Sequence, residues 1–192
     1  MSRWEPNTRE RLLDAALELF GERGYDSVTV AEIAERAGLT KRTFFRHFTD
    51  KREVLFAGQE FLSRVFADAI AAAPGSASPA AAVGRALAAA AAAAGFGPER
   101  QARGRRIRAV VADHPDLHER ELLKRATLNA AMAGALRERG VPDPAAGLAA
   151  EIGGLAFSTA FRRWTEPGNE REFATLAAEA LEELLAATAA LG

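Results

Sequence analysis

What most restricts the fold of this chain is its near-total lack of strand-forming pattern. A strand shows as alternating apolar and polar residues rich in β-branched side chains. Here the longest β-branched cluster is Val28-Thr29-Val30. Helical spacing fills most of the length instead: Leu12, Leu13, Ala16, Leu17 and Phe20 recur as one buried helix stripe. The expected fold class is all-α.

Helix punctuation then divides the chain. Asn7 or Thr8 opens a first helix, because Asn7 and Glu10 have capping-box spacing just after Pro6, and Gly21 and Gly24 are expected to end it. Thr29-Val30-Ala31-Glu32 is a second capping box, and Gly38 follows so soon that the helix is short. Thr40 caps a third short helix through about Phe48. Asp50 and Glu53 repeat the spacing and open a longer fourth helix, from Lys51 towards Ala73. Helices this short persist only by packing on each other. After the break at Pro74-Gly75-Ser76-Ala77-Ser78-Pro79 come longer, alanine-rich helices at about 80–94, 98–113, 117–139, 144–164 and 170–190. The predicted organisation is a three-helix domain over residues 1–56 and a larger helical domain over 57–192.

The stretch Val28–Leu55 has the grammar of a helix-turn-helix. Ile33, Ala37, Leu39 and Phe44 are apolar where the helices must meet, and Ala34 is small at their closest approach. Gly38 occupies the turn, where a left-handed backbone is cheap only without a Cβ. What faces outward is basic. From Arg36 to Arg52 there are six basic side chains (Arg36, Lys41, Arg42, Arg46, Lys51, Arg52) against one acid, Asp50, inside a chain of net charge -1. A run of charge is ordinarily a solvated surface. On a capped, glycine-turned pair of short helices it is better read as a phosphate-neutralising patch, with the helix N-termini at Thr29, Thr40 and Asp50 adding amides and hydroxyls.

TVAEIAERAGLTKRTFFRHFTDKREVL, preceded by TRERLLDAALELFGERGYD, resembles the N-terminal motif of the TetR family of transcriptional regulators over about Thr8 to Phe56. Beyond that the resemblance is one of length and helical layout. It implies that Thr29 is a phosphate-contacting cap, that Lys41 and Arg42 open a recognition helix capped by Thr40, and that Thr43 and His47 hold phosphates. Lys51 corresponds to a backbone contact, and Arg46 reads a base or holds a phosphate. Two positions depart from the family. Phe45 replaces a tyrosine whose hydroxyl meets a phosphate, leaving its ring to pack on the sugar-phosphate wall or a thymine methyl. Arg42 stands where a small residue is common, which makes it the expected specificity determinant, bidentate to a guanine.

One short helix reads few base pairs, so a two-fold dimer on a palindromic double-stranded operator is expected. The resemblance implies a homodimer through the last two helices, with Leu148, Ile152, Leu155 and Thr159 on one and Phe173, Leu176, Leu184 and Leu185 on the other. The alternative for those stripes is intramolecular core. The resemblance also makes the C-terminal domain the seat of an unidentified small-molecule effector whose binding releases a repressor from DNA. Candidate linings are Phe61, Phe66, Phe96, Arg108, Met132, Phe157, Phe161 and Trp164, each of which is alternatively plain core.

Other classes fare worse. There are no cysteines, no Gly-rich phosphate loop and no nucleophile–base pair, so no catalytic residue is assigned. His114 and His118 stand four apart, but Pro115 breaks the helix between them; His-Pro-Asp-Leu reads as an inter-helix turn and no metal site or cofactor is expected. The N-terminus lacks the apolar core of a signal peptide, and the run Leu87–Ala94 is far too short for a bilayer. No membrane partner and a cytoplasmic location are expected. A constitutive DNA-binding protein with no effector remains the rival within the binding class.

Overall fold

Residues 8–191 are described in the structure, a computed structural model, and every regular element among them is helical. In order these are α1 (Thr8–Arg23), α2 (Val30–Arg36), α3 (Lys41–His47), a 3₁₀ turn at Arg52–Phe56, α4 (Gln59–Ala71), α5 (Pro79–Ala94), α6 (Pro98–Ala112), α7 (Pro115–Glu138), α8 (Asp143–Trp164) and α9 (Phe173–Ala189). The all-α expectation holds. Asn7, offered as a first cap, lies outside the described residues.

Two details of the punctuation differ from expectation. Gly21 lies within α1, and it is Gly24, at φ 80°, that turns the chain out of the helix. The fourth helix is broken: after the 3₁₀ turn, Gly58 adopts φ 94°, a left-handed conformation that cannot continue a right-handed helix, and α4 begins only beyond it. Asp50 still acts as a cap, its Oδ1 accepting from the amides of Arg52 and Glu53 at 2.8 and 3.1 Å.

The chain falls into two compact units. The first takes the residues up to Ala57 together with Arg103–Glu121, and the second takes Gly58–Ala102 with Leu122 onward. The first unit's core joins Leu12, Leu17, Phe20, Val28, Ile33, Phe44 and Val54 to Val111 and Leu117 from the later segment. Ion pairs fasten that segment: Arg103 grips Asp14 with Nε and Nη2 at 2.6 and 2.8 Å, and Arg120 Nε donates to Glu53 at 2.5 Å. His114 Nδ1 donates to the Val110 carbonyl at 2.7 Å and its ring packs edge-on to Tyr25, so His114 caps the corner between α6 and α7 rather than facing His118. Among the described residues no group of three or more potential ligands could hold a metal.

In the second unit α4 packs along α5, and α5 also meets α8 and α9, which pack on each other. α5 is set by strong local signals: the Ser78 hydroxyl caps its start, Pro79 takes the first turn and Gly95 ends it at φ 60°. Small residues allow the close contacts of α8. A Cβ at Gly153 would come 2.7 Å from Val83 Cγ1, and one at Gly154 would come 2.0 Å from Asn129 Oδ1. Arg163 and Glu183 tie α8 to α9 in a bidentate pair at 3.0 and 2.7 Å. No single helix among the described residues is long and apolar enough to cross a membrane.

Candidate nucleic-acid interface

The first unit builds a helix-turn-helix from local hydrogen bonds. At the start of α2 the Thr29 hydroxyl accepts the Glu32 amide at 3.3 Å, while Glu32 Oε2 accepts from the Thr29 amide at 2.8 Å, which completes the capping box. At its end Gly38, φ 66°, donates to the Glu35 carbonyl and the Leu39 amide donates to Ala34 at 2.8 Å, a Schellman closure. Thr40 then caps α3 by accepting the Thr43 amide at 3.1 Å. Leu39, half-buried, bridges the two caps.

Packing then decides which side of α3 remains free. Phe44 is fully buried beside Phe48, and Ile33 and Ala34 close the seam from α2. That orientation leaves Lys41, Arg42, Phe45 and Arg46 exposed. Arg42 and Arg46 are one turn apart, as are Lys41 and Phe45, so the face is two neighbouring rows. The Lys41 ammonium lies 5.9 Å over the Phe45 ring. None of the three cations has a carboxylate partner among the described residues. Phe45 is 48% exposed, a large apolar ring held towards solvent among positive charges.

Other expected contacts are already engaged inside the unit. Thr29 donates its hydroxyl to Glu32 Oε2 at 2.7 Å, and Glu32 is also held by Arg23 at 2.7 Å. The Thr29 amide and hydroxyl bonds, then Arg23, hold the Glu32 carboxyl down to about 2. The Thr43 hydroxyl is 3.0 Å from that of Thr40. His47 is half-buried with Nε2 enclosed and without a hydrogen-bond partner among the described residues; burial first, then Arg46 and Arg9, lowers its pKa.

Lys51, expected to contact the DNA backbone, is engaged within the unit. Its ammonium is turned inward, donating to the carbonyls of Tyr25 and Val28 at 2.7 and 3.0 Å and lying 4.1 Å over the Tyr25 ring. Those carbonyls close the bend between α1 and α2 and need donors there; burial pushes the Lys51 pKa down, and that of Tyr25 up to about 12. The charge count also needs revising. Arg36 grips Glu22 with both terminal nitrogens at 2.9 Å and reaches Glu18 at 3.3 Å, and Arg52 pairs with Asp50. The outward positive charge therefore rests on Lys41, Arg42 and Arg46.

One cation was missed in the sequence. Arg9, exposed in the first turn of α1, places its guanidinium 5.8 Å over the Phe48 ring, near Arg46 and His47. The signal was available: a cation in the first turn opposes the helix dipole, so it is not there for helix stability.

In the second unit Phe66, Phe96, Phe157, Phe161 and Trp164 do come together, with Phe173 at the centre. Phe96 stacks on Phe173 at 3.7 Å and meets Trp164 edge-on at 5.0 Å, and Phe157 contacts Phe66 at 5.6 Å. The rings fill the space with one another, because offset and edge-on pairs satisfy their quadrupoles. Met132 is fully buried against α8, Phe61 is 43% exposed, and Arg108 falls in the first unit. None of the eight lines either of two surface hollows of the second unit, of about 240 and 300 Å³. Of the stripes expected to dimerise, Phe173 and Leu176 are core, whereas Leu148 and Leu155 are exposed.

Comparison with known proteins agrees with this geometry. The family described as "Bacterial regulatory proteins, tetR family" matches residues 12–57. The chain is 39% identical over 80 residues to the HTH-type transcriptional regulator TcmR of Streptomyces glaucescens, covering 42% of this chain and 35% of TcmR. It is 34% identical over 96 residues to BetI of Rhizobium meliloti, covering 50% and 47%. The chain thus spans less than half the length of either curated relative. In fold it is similar to SmeT, the repressor of the Stenotrophomonas maltophilia multidrug efflux pump SmeDEF, at TM-score 0.54 and 22% identity over 93% of this chain and 89% of SmeT. SmeT in complex with triclosan gives TM-score 0.57 at 23% identity, covering 94% and 90%. Its capped and glycine-turned helix pair lies within the segment, residues 12–57, that matches the DNA-binding domain of the TetR family of bacterial regulatory proteins, and the helical layout that follows is similar in fold to solved structures of that family.

Proposed function

We propose that the chain is a homodimeric, cytoplasmic repressor that binds a palindromic operator through α3 and releases it when a small molecule occupies the second unit. One observation carries the DNA reading. Lys41, Arg42 and Arg46 stand exposed, with no carboxylate partner among the described residues, on a helix whose opposite side is locked into the core by Phe44. Uncompensated like charges on a rigid short helix are costly in the free protein and become favourable against phosphates and base edges.

Arg42 reads a guanine in the major groove, Phe45 packs on the groove wall or a thymine methyl, and Lys41, Arg46 and Arg9 engage phosphates. Thr29, Thr40 and Thr43 shape the helix ends, and the amides they leave free at the N-termini of α2 and α3 face phosphate oxygens. His47 and Lys51 serve the packing of the unit. A dimer through α8 and α9 would set two recognition helices on half-sites ~34–36 Å apart.

Operator selection from genomic fragments, followed by titration of the selected duplex and of a scrambled one, tests this. Wild type should prefer the palindrome at physiological salt, and Arg42→Ala should lose about 1–3 kcal/mol of that preference. Equal weakening on both duplexes would remove Arg42 from base reading; no preference by wild type would end the operator reading itself.

The effector part draws on SmeT having been seen with triclosan, and its candidate seat is the half-buried rim of the aromatic cluster, Phe96, Phe157 and Phe161. The ring packing favours a second reading, a regulator without an effector. A compound that both raises the melting temperature and releases the operator decides for the first.

A further inference from the structure

The second unit carries an exposed apolar ridge on α8. Leu148 and Leu155 are 55% and 48% exposed, and Ile152 lies between them on the same helical face. Beside the ridge, Arg125 of α7 and Glu151 of α8 flank the hollow of about 300 Å³, whose other walls are Asn129, Leu148, Ile152 and Leu155. The two opposite charges share the hollow without forming an ion pair, and Arg125 has no carboxylate partner among the described residues.

Glu151 is held in place. Asn129, only 5% exposed, donates Nδ2–H to Glu151 Oε2 at 2.8 Å. The other end of the same amide, Oδ1, is enclosed without a hydrogen-bond partner and occupies the space where a Cβ at residue 154 would stand. The fold therefore tolerates an unsatisfied buried acceptor and a helix-interior glycine, both destabilising in isolation, around a carboxylate that lies at the rim of an apolar ridge. The bond to Asn129 fixes the Glu151 carboxylate beside the ridge.

We propose that a second copy of this chain docks on the ridge about a two-fold axis, and that Arg125 of each copy pairs with Glu151 of the other. The inference rests on the dimer reading above and adds the residue pair that sets its register. A two-fold interface must complement itself, so each cation needs an anion at the symmetry-related place. A hollow holding one unpaired charge of each sign meets that condition, whereas a patch of single sign would repel its own copy. Asn129 occupies one Glu151 oxygen and leaves the other for the incoming guanidinium. Charges at the edge of an apolar contact select register and reject mismatched partners.

Sedimentation of the full chain across protein concentration and salt tests the pairing. Leu155→Asp, which puts a charge into the ridge, should leave a monomer. Arg125→Glu and Glu151→Arg should each weaken dimerisation by about tenfold or more, and the double charge swap should restore it to within about threefold of wild type. Glu151→Gln keeps an acceptor for Asn129 and should lose only the salt-dependent part. If wild type is monomeric, or Leu155→Asp still dimerises, the dimer reading falls. If Leu155→Asp is monomeric but the charge variants dimerise like wild type, or the swap is as weak as its single changes combined, the Arg125–Glu151 pairing alone is overturned.

Discussion

Gly154→Ala isolates a tertiary effect from a helix-propensity effect. Within a helix, alanine in place of glycine is ordinarily worth about 0.8–1.0 kcal/mol of stabilisation. At residue 154 the new Cβ would stand 2.0, 2.8 and 2.9 Å from Oδ1, Cγ and Nδ2 of Asn129, so the whole amide must leave. Its departure breaks the 2.8 Å bond to Glu151 and strands a polar group that is 5% exposed. Overpacking costs about 1–3 kcal/mol and the stranded amide about as much again, against which the propensity gain is small. The net expectation is a loss of about 1–5 kcal/mol, read by urea unfolding followed through helical circular dichroism and the buried Trp164. Gly134→Ala on α7, where nothing lies within 4 Å, should instead gain up to about 1 kcal/mol. In an Asn129→Ala background the obstacle is gone, and Gly154→Ala should then stabilise. A Gly154→Ala protein as stable as wild type, or a penalty unchanged by Asn129→Ala, would refute the reasoning.

Four further outcomes are expected in the first unit. Glu32 should titrate by NMR at about 2 against its ordinary 4.5; because the folded value is the lower, its contribution to stability is complete above 4.5 and fades as pH falls towards 2. Thr29→Ala should raise that pKa part of the way and cost about 1 kcal/mol of unfolding free energy as the cap is lost. Lys51→Met should destabilise the unit by roughly 1–3 kcal/mol in thermal melts, yet leave the salt dependence of DNA binding unchanged, as befits an ammonium bound to the Tyr25 and Val28 carbonyls. Gly38→Ala, forced to φ 66° with Arg11 Nη2 at 3.2 Å from its Cβ, should lose about 1–2 kcal/mol by the same melts, and an unchanged stability would remove the turn argument.

Read without a structure, this chain already declares its helices and its helix-turn-helix. The signals for these act over three or four residues: Thr29 with Glu32, Thr40 with Thr43, Gly38 alone, Ser78 with Ala81. Short-range hydrogen bonds and the sterics of one residue are encoded where they act, so local order can be read locally. The exposed Lys41–Arg42–Arg46 face follows from the same logic, since three-residue and four-residue spacing divides a helix into sides. Only the tertiary structure decided where the other charges and rings go. Arg36 finds carboxylates 14 and 18 residues back, Lys51 finds carbonyls 26 and 23 residues back, and Arg103 meets Asp14 across 89 residues. Whether an aromatic such as Phe96 or Phe157 lines a cavity or fills one depends on which rings come from other helices. Periodicity tells which side of a helix is apolar; what covers that side is a property of the assembled chain.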